Sequence, residues 1–168
     1  TEQDKHGDTR WRLSAGAVGP TNRTASVSPK VEDPSFRNVT YMELVDSYKE
    51  QIAGLVAGGC HIIFIETIFD SLNARAAIYA YITFFEECGL EKLPLILSGT
   101  IIDAAGRTLS GQNTEAFYIS MMNAKPFCMR SAMFTRIRML AFQTPWVATM
   151  RRLKTSQSIF ESTRRTAS

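Results

Sequence analysis

Glu66 and Thr67 end an apolar run, His61-Ile62-Ile63-Phe64-Ile65. A carboxylate where such a strand leaves a parallel sheet lies at the rim where enzymes of that architecture place their chemistry. It can receive an ammonium group in a charge-assisted hydrogen bond, or it can serve as a structural acid paired with a neighbouring Arg. Ser98, Gly99 and Thr100 leave the next apolar run, Leu93-Pro94-Leu95-Ile96-Leu97. Their small side chains would let backbone N–H groups approach a carboxylate, and they suit a tight strand exit equally well. Thr21, Asn22 and Arg23 follow an earlier strand-like run and could touch a ligand or a docking module, or simply build a loop. Asp70 and Asn73 read as a helix cap and its first turn. Gly106, Arg107, Thr108 and Gly111 form a loop with no chemical role of their own.

Metal and nucleophile chemistry find little support. Cys60, Cys88 and Cys128 form no Cys-x-x-Cys pair, and three thiols cannot all pair with one another. A disulfide framework is therefore not expected, and the default setting is reducing and cytoplasmic. His6 and His61 belong to no sequence motif for acid–base or metal work. The sequence has no Gly-rich phosphate loop, no nucleophile elbow and no His-Glu-x-x-His motif. Neither catalytic nor metal-binding residues are assigned.

These residues are positioned by alternating strand and helix patterns. Residues 11–18 read as a strand closed by Gly19-Pro20, with a long loop beyond. Thr40 opens a helix, with Glu43 completing a capping box. Leu44, Val45, Tyr48, Ile52, Leu55 and Val56 recur at helical spacing until Gly58-Gly59. The run at 61–67 is apolar on both faces, as a strand covered on two sides should be. Asp70 caps a helix through Phe84 to Gly89, and 93–99 forms a third buried strand. A polar loop from Asp103 to Asn113 then leads into a helix capped by Thr114, and Pro126-Phe127-Cys128 begins a fourth strand. Strand–helix alternation implies right-handed βαβ units and a parallel sheet, an α/β architecture.

The chain has 168 residues, 45% apolar and 21% charged, the balance of a globular domain. No apolar run approaches the roughly 20 residues that span a bilayer. Charge is uneven: residues 1–128 hold 11 Lys and Arg against 15 Asp and Glu, whereas residues 129–168 hold 8 against 1. A basic end raises the thought of nucleic acid. That use needs a folded basic face or interleaved aromatics, and Trp146 and a few scattered Phe do not supply them. Beyond Cys128 no period of 2 or 3.6 is sustained, so this end is expected to be poorly ordered.

Several blocks together resemble the homocysteine-binding barrel module of cobalamin-dependent methionine synthases. They are Gly19-Pro20-Thr21-Asn22-Arg23-Thr24, Phe36-Arg37-Asn38-Val39-Thr40, Ile65-Glu66-Thr67-Ile68-Phe69-Asp70-Ser71-Leu72-Asn73-Ala74, Ser98-Gly99-Thr100-Ile101, Gly106-Arg107-Thr108-Leu109-Ser110-Gly111-Gln112 and Glu115-Ala116-Phe117. The resemblance covers about residues 11–128, in the family's order and spacing. It implies a TIM-type (β/α)8 barrel, with this chain carrying strands three to the start of six. It implies homocysteine as substrate and Glu66 as the acceptor of its ammonium group. Ser98, Gly99, Thr100, Thr21 and Asn22 are the further substrate contacts proposed. It also implies methyl transfer to the homocysteine sulfur, with zinc holding the thiolate and separate folate and cobalamin modules supplying the methyl group.

The chain departs from that pattern at the zinc ligands. The family's Gly-x-Asn-Cys-Ala and Gly-Gly-Cys-Cys motifs are both missing. A one-base shift of freely chosen codons for residues 139–150 can read Asn-Ala-Gly-Leu-Pro-Asn-Thr-Leu-Gly-Gly-Tyr-Asp, which is similar to the family's stretch after its seventh strand. The expected organisation is thus an unordered start (1–10), a partial barrel domain (11–128) and a basic, out-of-frame tail (129–168). Such a chain would not transfer methyl groups alone. The competing readings are a regulatory fragment that pairs with another chain and a nucleic-acid binder acting through the basic tail.

Overall fold

The computed structural model describes residues 12–103, 105–133 and 136–142. The expected unordered start at 1–10 and the tail beyond residue 142 lie outside the described residues. The elements in chain order are β1 (Ala15–Val18), α1 (Tyr41–Ala57), β2 (Ile62–Ile68), α2 (Ser71–Glu87), β3 (Leu95–Thr100), α3 (Thr114–Met121), a 3-10 turn (Met122–Ala124), β4 (Cys128–Met133) and β5 (Arg136–Phe142). One sheet runs in the order β1-β2-β3-β4-β5. Its first four strands are parallel, and β5 is antiparallel to β4. The α/β architecture expected from the alternating pattern is present.

Local rules account for the helices. Thr40 caps α1, its side chain accepting from the Glu43 N–H while the Glu43 carboxylate accepts from the Thr40 N–H. The helix stops at Gly58, and Gly59 turns the chain at φ +79. Asp70 caps α2. The cap of α3 is Asn113, whose side chain accepts from the Ala116 N–H, so Thr114 is the first helical residue and not the cap. Both residue types cap well, and Asn113 caps the N–H three residues on, as Thr40 does for Glu43.

The strands begin and end a little differently from the hydrophobic runs. Among the described residues regular pairing starts at Ala15, at Ile62 rather than His61, and at Leu95, after Pro94; residue 11, where the first strand was expected to begin, lies outside the described residues. Proline has no N–H to give to a ladder. Residues 129–133 and 136–142 lie in β4 and β5, although their sequence showed no strand period.

The core lies between the sheet and its helices. Leu44, Val45, Tyr48 and Ile52 of α1 and Ala74, Ala76, Ala77, Ala80, Tyr81 and Phe85 of α2 pack on Val18, Ile63, Ile65, Leu95 and Leu97. The alanines of α2 let the helix lie close to the strands, and Phe85 and Tyr81 fill its far end in an edge-on ring contact. Lys49 of α1 and Glu87 of α2 form an ion pair at 2.7 Å across the outer surface.

Candidate functional site at the C-terminal rim of the sheet

The first three parallel strands point their C-terminal ends at the same rim, where the β1–α1, β2–α2 and β3–α3 connections meet. Two side chains at the start of α2 fasten the first connection. Asp70 is buried, and its Oδ1 accepts from the N–H groups of Leu72 at 2.8 Å and Asn73 at 3.3 Å. Its Oδ2 accepts from the N–H of Ser26 at 3.1 Å and the hydroxyl of Ser26 at 2.5 Å. Asn73, also buried, accepts from the Ala25 N–H at 2.9 Å and donates to the Arg23 carbonyl at 2.8 Å and to Thr21 Oγ1 at 3.3 Å. Both are the expected cap and first turn. Their second acceptors and donors also fix the Thr21–Ser26 loop over the rim.

The third connection is held in the same way. Ser71 bonds to both Ser110 and Gln112, and the Ser110 N–H donates to the Phe69 carbonyl at 3.3 Å. Gly106 and Gly111 turn this loop at φ +78 and +83, where a side chain would be strained. The Gly106–Gly111 loop thereby acquires a structural role: it clasps the N-terminus of α2.

Beside the first and second connections lies a narrow cleft of about 10 Å³, room for about one water, open to solvent and lined by Gly19, Pro20, Tyr48, Glu66, Thr67 and Asp70 among others. Glu66 is half-buried. Among the described residues no Arg or Lys stands in ion-pair range of it, and no donor is bonded to it. The structural reading, an acid neutralised by a neighbouring Arg, is not what the described residues form. Tyr48 lies at the base of the cleft. Burial pushes its hydroxyl above the usual tyrosine range, against the opposing effect of hydrogen bonds with Thr21 and Asn73. It therefore remains a neutral donor and acceptor.

The other expected contacts are placed unequally. Leu97 pairs with Ile65 and Gly99 with Ile68, so Ser98 lies opposite Glu66 and Thr67. Ser98 is buried, and Thr100 ends the same strand. Gly99 serves packing: a Cβ there would come within 2.7 Å of the Phe117 ring. Thr21 joins the cleft through Asn73 and Tyr48, donating its hydroxyl to the Arg23 carbonyl at 2.7 Å. Asn22 is exposed and does not line the cleft.

Thr67 is a residue that the sequence reading passed over. Its φ of +58 places a β-branched residue in the left-handed region, where Cβ crowds the backbone. No spacing or composition signal marks such a residue, because an unbroken Ile-Glu-Thr-Ile run reads as plain strand.

The thiols are elsewhere. Cys60 precedes β2, Cys88 caps the C-terminus of α2 and Cys128 opens β4, all at the opposite end of the sheet from Glu66. All three are free. Burial raises the Cys60 thiol above its ordinary range, against the deprotonation a metal ligand requires. No cluster of three His, Cys, Asp or Glu suited to a metal occurs among the described residues. The described donor set therefore does not fit zinc. No described helix is long and apolar enough to cross a membrane.

The order of the rim loops, the acidic strand exit and the loop clasped to α2 come from sequence blocks spread over most of the chain. A family model described as homocysteine S-methyltransferase matches residues 2–142, a span that takes in every described element and extends past the residue 128 limit of the resemblance noted above. The chain belongs to the homocysteine S-methyltransferase family.

Proposed function

We propose that this chain is part of the homocysteine-binding barrel of a cobalamin-dependent methionine synthase, one that retains the grip on the amino-acid end of homocysteine and lacks the means to activate its sulfur. Glu66 carries the reading. A half-buried carboxylate without a described cationic partner, at the C-terminal rim beside a cleft, suits the ammonium group of an α-amino acid. Ser98, Gly99 and Thr100 leave the neighbouring strand where the substrate carboxylate would lie, and Thr21 reaches the cleft through Asn73 and Tyr48. Tyr48, kept protonated, offers a hydroxyl at the base.

Four parallel strands with an antiparallel fifth support a partial barrel: β5 occupies the edge of β4 where a further parallel strand would add. In the family, zinc holds the homocysteine thiol as a thiolate. The C-terminal end of β4, where the resemblance puts the first ligand, reads Ser131-Ala132-Met133. Methyl transfer by this chain alone is therefore not expected, and folate and cobalamin would belong to other modules.

Titration calorimetry with homocysteine tests the reading. The chain binds it, and Glu66→Gln weakens binding by about tenfold, the worth of one charge-assisted contact. Equal affinity of the two proteins removes Glu66 from the site. Zinc analysis after dialysis should find well under one metal per chain, with no methionine formed from homocysteine. Stoichiometric, tightly held zinc together with turnover would overturn the proposed inactivity.

A further inference from the structure

We propose that Thr67 is a positioning residue: its left-handed turn, at a bulge in β2, fixes the direction of the Glu66 carboxylate at the C-terminal rim. The inference rests on the reading of Glu66 as the receiver of a substrate ammonium group.

The register of the sheet carries the argument. From Ile65 to Ile68 the chain advances three residues on β2, while the partner advances two, from Leu97 to Gly99. One extra residue is therefore accommodated at Glu66–Thr67, the signature of a β-bulge, and bulges re-aim side chains next to active sites. Strict alternation from buried Ile63 and Ile65 would bury Thr67 and turn Ile68 to the face of Glu66. Instead Thr67 is exposed and Ile68 is buried. Glu66 thus keeps the face that alternation gives it and is the last side chain before the bulge resets the pattern, so the turn fixes the backbone on its C-terminal side.

The turn is held at a cost. Thr67 takes φ +58, a conformation β-branched residues rarely adopt and one that persists only when its surroundings impose it. Its hydroxyl makes no hydrogen bond among the described residues, so no described side-chain contact offsets the strain. The surroundings impose the turn from both sides: before it, Ile65 is buried in the core and paired with Leu97. Ile68 is anchored in the core, and the Phe69 carbonyl accepts from the Ser110 N–H. Glu66 and Thr67 both border the cleft, and Glu66 is the side chain directly before the strained turn.

Two ligands read the direction of the Glu66 carboxylate in the full chain: homocysteine, and 4-mercaptobutanoate, which keeps the thiol and carboxylate but has hydrogen in place of the ammonium group. The wild type prefers homocysteine by about tenfold. Thr67→Gly adopts the turn without strain and melts at a higher temperature, but it also visits the opposite sign of φ, and the preference shrinks to about twofold. Thr67→Asn, which tolerates the left-handed region and still carries a side chain, keeps the wild-type preference. A Thr67→Gly protein that is stabilised and still discriminates like the wild type overturns the positioning role while leaving Glu66 in place. A wild type that binds neither ligand, or both equally, removes the reading of Glu66 and this inference with it.

Discussion

Asn73 illustrates how one side chain can be both legible and hidden. Its place in the first turn of a capped helix follows from Asp70 three residues earlier. Its work, donating to Arg23 and Thr21 while accepting from Ala25, depends on a loop about 50 residues away that no local pattern fixes. The amide is needed because it offers a donor and an acceptor at once. Asn73→Asp keeps the shape but turns a donor into a second acceptor against the Arg23 carbonyl. With the site buried, the cost should be about 2 kcal/mol, read as a lower urea midpoint with unchanged slope. A change below about 0.5 kcal/mol would show that the loop is held elsewhere. Thr67 is the opposite case. Its residue type argues against the backbone it adopts, so only the register of the folded sheet reveals it.

At the scale of the elements, the sequence was most informative where a short physical rule was complete within a few residues. The capping box of α1 is such a rule, and it gives a pH prediction with a definite sign. Hydrogen bonds from the Thr40 backbone and hydroxyl hold the Glu43 carboxyl below its ordinary range. Its contribution to stability is therefore complete above the ordinary carboxylate range and is lost as pH falls through the depressed folded value. Glu43→Gln, which removes the titrating carboxylate, should lower the urea midpoint at pH 7 and flatten its further decline on acidification. An identical acid slope in the two proteins would exclude the box as its source. The sequence was less informative for β3, where Gly99 read equally as a ligand contact or a tight exit. Its missing side chain admits the Phe117 ring of α3, a contact between elements separated by a polar loop. Gly99→Ala should cost about 1–3 kcal/mol through overpacking in a denaturant titration, and Phe117→Leu in the same protein should recover part of that loss.

Across the whole molecule, the alternation of apolar strands and amphipathic helices was enough to give an α/β sheet, although of the continuous apolar runs at 62–65 and 95–97 only the helix-side residues Ile63, Ile65, Leu95 and Leu97 are buried, and Ile62, Phe64 and Ile96 on the other face are half-buried. It was not enough after Cys128. Arg, Ser and Met in β4 and β5 carry no period of their own, and these strands take their conformation from the ladder that β3 offers to β4 and β4 to β5. The consequence is a sheet whose far edge is finished by an antiparallel strand while its first strand, β1, is short and pairs only with β2 among the described residues. Closed barrels have no such edge, and natural open edges are protected by charge, by shortness or by a cover. Ala15 and Ala17 of β1 are exposed and uncharged, so the chain should associate as its concentration rises. Ala17→Lys places a charge on that edge without touching the buried Val18 or the contact between Gly16 and α1, and should shift the molecule toward monomer in sedimentation velocity runs. If the two proteins sediment alike at every concentration, β1 is not the associating edge.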